Sequence, residues 1–153
     1  MTDYLVIYLN DHLMGATAGL ELFRRAAGHI PAVRPLVEEV AEDREALLRI
    51  LTAVGGQPDQ VKVAAGWVGE KLGRLKLNGS LLSRSPLSDV IELESLTLGV
   101  HGKLAGWRLL RVLHDPRLDA AELDRLILRA ERQEETLEDI RLATGRTVLA
   151  PQA

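Results

Sequence analysis

The sequence predicts an all-α fold in which four long helices form a bundle. Glycine and proline divide the chain into five apolar-periodic runs, and no run alternates between apolar and polar residues over a strand's length. Four of these runs contain roughly 22–28 residues, about 33–42 Å at 1.5 Å per residue, and such matched lengths are typical of a four-helix bundle. Apolar residues make up 46% of the 153, which suffices for the core of one domain.

The first two helices are predicted from their end signals. The first covers about residues 3–28, because Thr2 and Asp3 are suitable N-caps and Gly28 is a suitable end. The second covers about residues 33–54 and ends at a pair of glycines. The short joint between them makes the two helices an antiparallel hairpin.

The remaining three helices follow from proline and capping signals. The third begins after Pro58 and ends near Asn78. The fourth has Ser85 as its cap and continues to about His114. The fifth begins at Asp119, with Glu122 in capping-box spacing, and ends at Gly145.

These elements predict a single bundle domain over residues 1–145 and a frayed C-terminal tail over 146–153. The fourth and fifth helices are joined by a short turn and form a second hairpin. About thirty residues, 55–85, separate the two hairpins. A connection of that length can cross the full height of the bundle and contains a fifth, shorter helix.

Composition excludes several classes of protein. The net charge of −3 gives no expectation of nucleic-acid binding, and the absence of cysteine removes thiolate metal sites and cysteine nucleophiles. No uncharged apolar run has the roughly 18 residues of a membrane span, and no basic N-terminal leader is present, so we expect a cytoplasmic protein. The phosphate-loop, zinc-protease and nucleophile-elbow motifs are all missing.

Several charged side chains are predicted to point into the bundle. On the fourth helix three of them are spaced by one heptad, and the inner stripe is completed by Leu98, Ala105 and Val112 among others. Counting residues from the bundle end places four of the charged groups within about 11 Å of height, where they can share one layer. The predicted inward polar cluster comprises His12, Asp43, Glu94, His101, Arg108 and Glu134.

Two interpretations of this cluster stay open, since buried charges need compensation. In one, arginines such as Arg44, Arg108 or Arg141 neutralise the acids, and no cofactor is bound. In the other, four of the residues bind iron or manganese through carboxylate and imidazole ligands, with His12 behind them. The four ligands would be Asp43, Glu94, His101 and Glu134.

Two antiparallel hairpins, a long crossover and inward acids on several helices resemble the ferritin-like superfamily over about residues 3–144. The segments 8–13 and 73–79 are similar to an uncharacterised branch of it from high-GC bacteria. That resemblance implies a di-iron site built from two lone glutamates and two Glu-x-x-His pairs. Here Glu39-x-x-Glu42 and Glu131-x-x-Glu134 lack the histidine, so the di-iron chemistry is not expected.

The function expected from these features is that of a binding or interaction protein rather than an enzyme. The alternative is a small iron- or manganese-dependent oxidoreductase or metal-handling protein. A third hypothesis is a small-molecule pocket between the hairpins in which Arg108 binds an acidic ligand. Glycine stripes predict close helix packing, either of the crossover helix on the fourth helix or in a homodimer. They comprise Gly15 and Gly19, then Gly66, Gly69 and Gly73, and finally Gly99, Gly102 and Gly106.

Overall fold

The computed structural model describes residues 3–66 and 84–151, and the regular structure within these ranges is entirely helical. The all-α prediction is therefore confirmed. No helix in the described ranges is both long and apolar enough to cross a membrane. The elements are α1 (Tyr4–Ala27), a short 3-10 helix (Pro31–Val33), α2 (Arg34–Ala53), α3 (Pro86–Val112) and α4 (Ala120–Leu149).

Most helix ends lie within a residue or two of the predicted positions. The Asp3 carboxylate accepts the backbone N–H of Leu5, and Asp119 caps α4 through the N–H of Ala121. The predicted end of the last helix at Gly145 is wrong, because α4 continues to Leu149. One glycine inside a helix costs only about 1 kcal/mol relative to alanine, which does not end it.

The four long helices form two antiparallel hairpins that surround two apolar clusters. The first cluster contains Leu9 of α1, Leu51 of α2 and Leu123 of α4. The second contains Phe23 of α1 and Leu93 of α3. Since α2 ends at the first cluster and α3 starts at the second, these two helix ends lie at opposite ends of the bundle.

The beginning of the connection between the hairpins lies against α1. The amide of Asn10 donates to the Gln57 carbonyl, and its oxygen accepts the N–H of Asp59 at 2.7 Å. Residues 60–66 are helical, and a Cβ added at Gly66 would collide with the backbone of Met14. The rest of the predicted crossover helix, with Gly69 and Gly73, lies outside the described residues.

The buried face of α3 differs from the predicted one. Leu98 and Val112, which were expected in the core, are 73% and 63% exposed, and Ala105 is also exposed. The face that packs inward carries Leu93, Val100, Leu104, Trp107 and Leu110. Because α3 is apolar around most of its circumference, its pattern could not indicate which side faces the core.

Candidate functional site

A layer of polar side chains separates the two apolar clusters at mid-height. Its centre is Asp43, which is 2% exposed. One carboxylate oxygen accepts from Arg129 of α4, with Nε at 2.8 Å. The other accepts from the Lys103 ammonium of α3 at 2.5 Å and from the Gln133 amide of α4 at 3.1 Å. The predicted inward position of Asp43 is confirmed, and two cations compensate its charge.

Lys103 and Gln133 complete this polar layer. The Lys103 ammonium donates to the Gln133 carbonyl oxygen at 2.5 Å, and the Gln133 amide also donates to Glu39 at 3.0 Å. Burial lowers the pKa of Lys103, and the attraction of Asp43 partly opposes this shift. Arg44, Arg108 or Arg141 were predicted to neutralise the acids of the inward cluster. Arg141 does pair with Glu94, whereas Asp43 pairs with Lys103 and Arg129.

The heptad line on α3 points outward, so the predicted inward position of its three members is wrong. The side chains of Glu94, His101 and Arg108 are 48%, 68% and 54% exposed. Each pairs with α4 along the outer edge of the second hairpin: Glu94 with Arg141 at 3.5 Å, His101 with Glu134 at 2.6 Å, and Arg108 with Glu131 at 2.7 Å. They do not reach Asp43.

The four residues considered as metal ligands are therefore not brought together. His101 and Glu134 meet, but Asp43 and Glu94 have other partners. Across residues 3–66 and 84–151, no three histidine, aspartate or glutamate side chains are grouped as metal ligands would be. Both oxygens of Asp43 already accept from cations, and those cations would repel a metal ion.

A second buried acid, Glu92 at 6% exposure, was missed by the sequence analysis. Arg84, at the end of the crossover, donates to it from two nitrogens at 3.2 and 2.7 Å, and Arg25 of α1 lies 3.2 Å away. These hydrogen bonds raise the pKa of the Arg84 guanidinium. The cluster joins the start of α3 to the end of α1, a structural role that needs no ligand.

A groove of about 360 Å³ runs between α1 and α3, and its lining surface is mainly apolar. Four glycines leave it open, since a Cβ added at any of them would meet nothing within 4 Å: Gly15, Gly19, Gly99 and Gly102. The close helix packing predicted for these positions is therefore absent from the described residues. Leu22, Phe23, Leu47 and Leu96 form apolar walls.

One end of this groove carries polar groups with unused hydrogen-bonding capacity. The rings of Tyr8 and His12 lie 4.2 Å apart, and His12 Nδ1 is 3.2 Å from the Tyr8 carbonyl. Within residues 3–66 and 84–151, no hydrogen bond reaches His12 Nε2 or the Tyr8 hydroxyl. Burial raises the pKa of that hydroxyl, so it stays a donor at neutral pH.

Gly106 and Trp107 form the α3 side of the same end. A Cβ at Gly106 would stand 2.7 Å from His12 Nε2 and 3.6 Å from the Tyr8 hydroxyl, so the missing side chain makes room for the histidine ring. Trp107 lines the groove, is 3% exposed, and its indole N–H has no hydrogen-bond partner among the described residues. An unpaired buried donor costs about 1–3 kcal/mol.

The predicted cluster therefore separates into three sets. Asp43 lies in the polar layer, His12 lies in the groove, and the other four residues lie on the outer edge between α3 and α4. Arg108 does not line the groove, and its side chain pairs with Glu131 on the outer edge instead. The signal that could have located the groove was the pair of glycine stripes on α1 and α3.

No protein-family model matches this chain, and neither the curated proteins nor the solved structures contain a significant match.

Proposed function

We propose that this chain is a binding protein whose groove between α1 and α3 holds a small molecule with an apolar body and a hydrogen-bonding end. The volume of about 360 Å³ lies within the range of small-molecule sites. Such sites combine apolar walls with a few polar groups that orient the ligand.

The observation that carries the proposal is the unpaired indole N–H of Trp107, a buried residue that lines an open apolar groove. Tyr8 and His12, beside Gly106, supply a protonated hydroxyl and a ring nitrogen at the same end. A carboxyl or amide group can accept from the donors, while an alkyl body lies over the glycines. The glycines leave room for that body, because their Cβ positions meet no other atom.

We also propose that the fold is ferritin-like. Two antiparallel hairpins support this proposal, as does the position of the end of α2 and the start of α3 at opposite ends of the bundle. In this proposal the middle of the bundle is held by ion pairs rather than by metal. Lys103 and Arg129 supply the positive charge that Asp43 requires. The iron- or manganese-dependent alternative has no observation in its favour, because its candidate ligands pair with cations or lie apart.

The test is a titration of the full chain with decanoic acid, followed by tryptophan fluorescence. The chain has two tryptophans, so Trp67→Phe leaves Trp107 as the sole emitter. We expect a saturable change in emission. Gly102→Leu, which fills the groove, should abolish the change, and Tyr8→Phe should weaken binding about fivefold, the equivalent of one hydrogen bond of about 1 kcal/mol.

Gly145→Leu is the matched control, because Gly145 also has open space around its Cβ but lies on α4. It should bind like the parent protein. Binding that survives Gly102→Leu, or no saturable binding by decanoic acid, decanol or decanamide, would overturn the proposal.

A further inference from the structure

Alongside the groove, α3 exposes an apolar stripe that nothing in the described residues covers. We call it the α3 seam: Ile91, Leu98, Ala105 and Val112, which are spaced by one heptad, and Leu109 beside them. Leu98 and Val112 are more than half exposed, and Leu109 is 46% exposed. Residues repeating every seven positions stay on one side of a helix, so the seam runs about 32 Å along α3.

We infer that the α3 seam associates with the α3 seam of a second copy of this chain, with the two helices antiparallel. A two-fold axis between His101 and Gly102 places Ile91 opposite Val112 of the second copy. It also places Leu98 opposite Ala105 of the second copy, so a large side chain faces a small one.

Charge complementarity selects this direction. Glu94 and Arg108 flank the seam on the same edge of α3, and both side chains are about half exposed. In the antiparallel arrangement each Glu94 lies beside Arg108 of the second copy. In a parallel arrangement the charged edge of one helix would face the opposite edge of its partner, so Glu94 and Arg108 would gain no contact of opposite charge with each other. The heptad spacing of these charges thereby gains a role that their intrachain pairs with α4 do not explain.

An interface formed only by the α3 seam of each copy buries a small area. Interfaces below about 1,200 Å² are characteristic of weak or transient association. We therefore expect a monomer–dimer equilibrium that depends on concentration rather than an obligate dimer.

Sedimentation of the full chain tests the inference through two single variants. Glu94→Arg places arginine beside Arg108 of the second copy, and Arg108→Glu places glutamate beside Glu94 of the second copy. Each variant alone should have its dimer dissociation constant raised at least tenfold. An equimolar mixture should dimerise as the parent does, because every flanking pair in the heterodimer has opposite charges.

Arg49→Glu is the control, since it breaks a comparable exposed pair with Glu122 between α2 and α4 and should leave association unchanged. Circular dichroism confirms that each variant is folded. A parent chain that stays monomeric at every concentration, or a mixture that does not recover dimerisation, would overturn the inference. If residues 67–83 or an unrelated protein cover the α3 seam instead of a second copy, the parent chain will stay monomeric in sedimentation.

Crosslinking gives a second readout, because the natural chain has no cysteine. Leu98→Cys and Ala105→Cys should form a disulfide when mixed, and neither alone should crosslink efficiently, since its own thiols are about 10 Å out of register. Neither Glu94 nor Arg108 lines the groove, so their variants should bind decanoic acid normally. Failure of dimerisation is thus distinguishable from failure of the proposed binding function.

Discussion

The polar layer around Asp43 is predicted to carry a large share of the free energy of unfolding. The change Asp43→Asn keeps the shape of the side chain but removes the charge that accepts from Lys103 and Arg129. Breaking a buried ion pair on one side costs about 3–5 kcal/mol. Lys103 keeps the Gln133 oxygen at 2.5 Å, and Arg129 keeps Glu42 at 2.7 Å, so both cations retain an acceptor. We therefore expect the lower end, about 3 kcal/mol.

When Lys103 is replaced instead, the Asp43 carboxylate keeps two of its hydrogen-bond donors. After Lys103→Met, Arg129 and Gln133 still donate to the carboxylate, and we expect a cost of about 2 kcal/mol, the value of one hydrogen bond to a charged group. The double variant, with Asp43→Asn and Lys103→Met together, has lost both charges of the ion pair. It should be more stable than the sum of the two costs predicts, by about 1 kcal/mol or more.

The assay is urea unfolding at pH 7, followed by circular dichroism, with the free energies combined in a double-mutant cycle. A total stability of about 5–15 kcal/mol is typical of a domain, so losses of 2–3 kcal/mol are measurable. Single costs below about 1 kcal/mol, or strictly additive costs, would contradict the claim that these charges interact in a buried layer.

Three further predictions follow from the same structure. Glu94→Gln breaks the half-exposed pair with Arg141 at 3.5 Å and should change the free energy of urea unfolding by less than about 0.5 kcal/mol. A loss above about 1.5 kcal/mol would mean that this pair is buried. Gly106→Ala should displace the His12 ring and weaken decanoic acid binding in the fluorescence titration, whereas the control Gly145→Ala should not weaken it. Equal binding by the two variants would contradict the packing of His12 on Gly106. Burial lowers the pKa of Lys103, so the folded chain loses this proton before the unfolded chain does. The free energy of unfolding of the parent, minus that of Lys103→Met, should therefore rise as the pH approaches a lysine's ordinary pKa of about 10.4. If urea unfolding shows that this difference falls instead, the lowered pKa of Lys103 is contradicted.

Sequence patterning predicted α2 correctly because its apolar and charged faces differ strongly. Asp43 is buried as predicted, and every other buried residue of this helix is apolar. On α3 the same reasoning failed, since apolar residues occupy nearly the whole circumference and the polar line with heptad spacing was taken for the inner face. The true inner face carries Lys103, whose position follows from the packing of three helices around Asp43 rather than from α3 alone.

The groove could be predicted only in part. Glycine stripes on α1 and α3 indicated that two helix faces lack side chains, and that much was readable from the spacing. Whether such faces pack closely or leave a gap depends on the relative rotation of the helices, which the larger residues elsewhere determine. The structure gives both results: Gly106 packs against His12, whereas Gly99 and Gly102 have open space.

Binding of a small molecule in the groove between α1 and α3, at the end formed by Tyr8, His12 and Trp107, can be followed by ¹H–¹⁵N NMR. The ¹⁵N-labelled chain is titrated with decanoic acid. We expect the Trp107 indole N–H resonance to shift downfield as it gains an acceptor, and the backbone amide resonances of Gly99, Gly102 and Gly106 to shift with it. An unmoved indole resonance, or shifts confined to the opposite surface between α2 and α4, would contradict binding at this end of the groove.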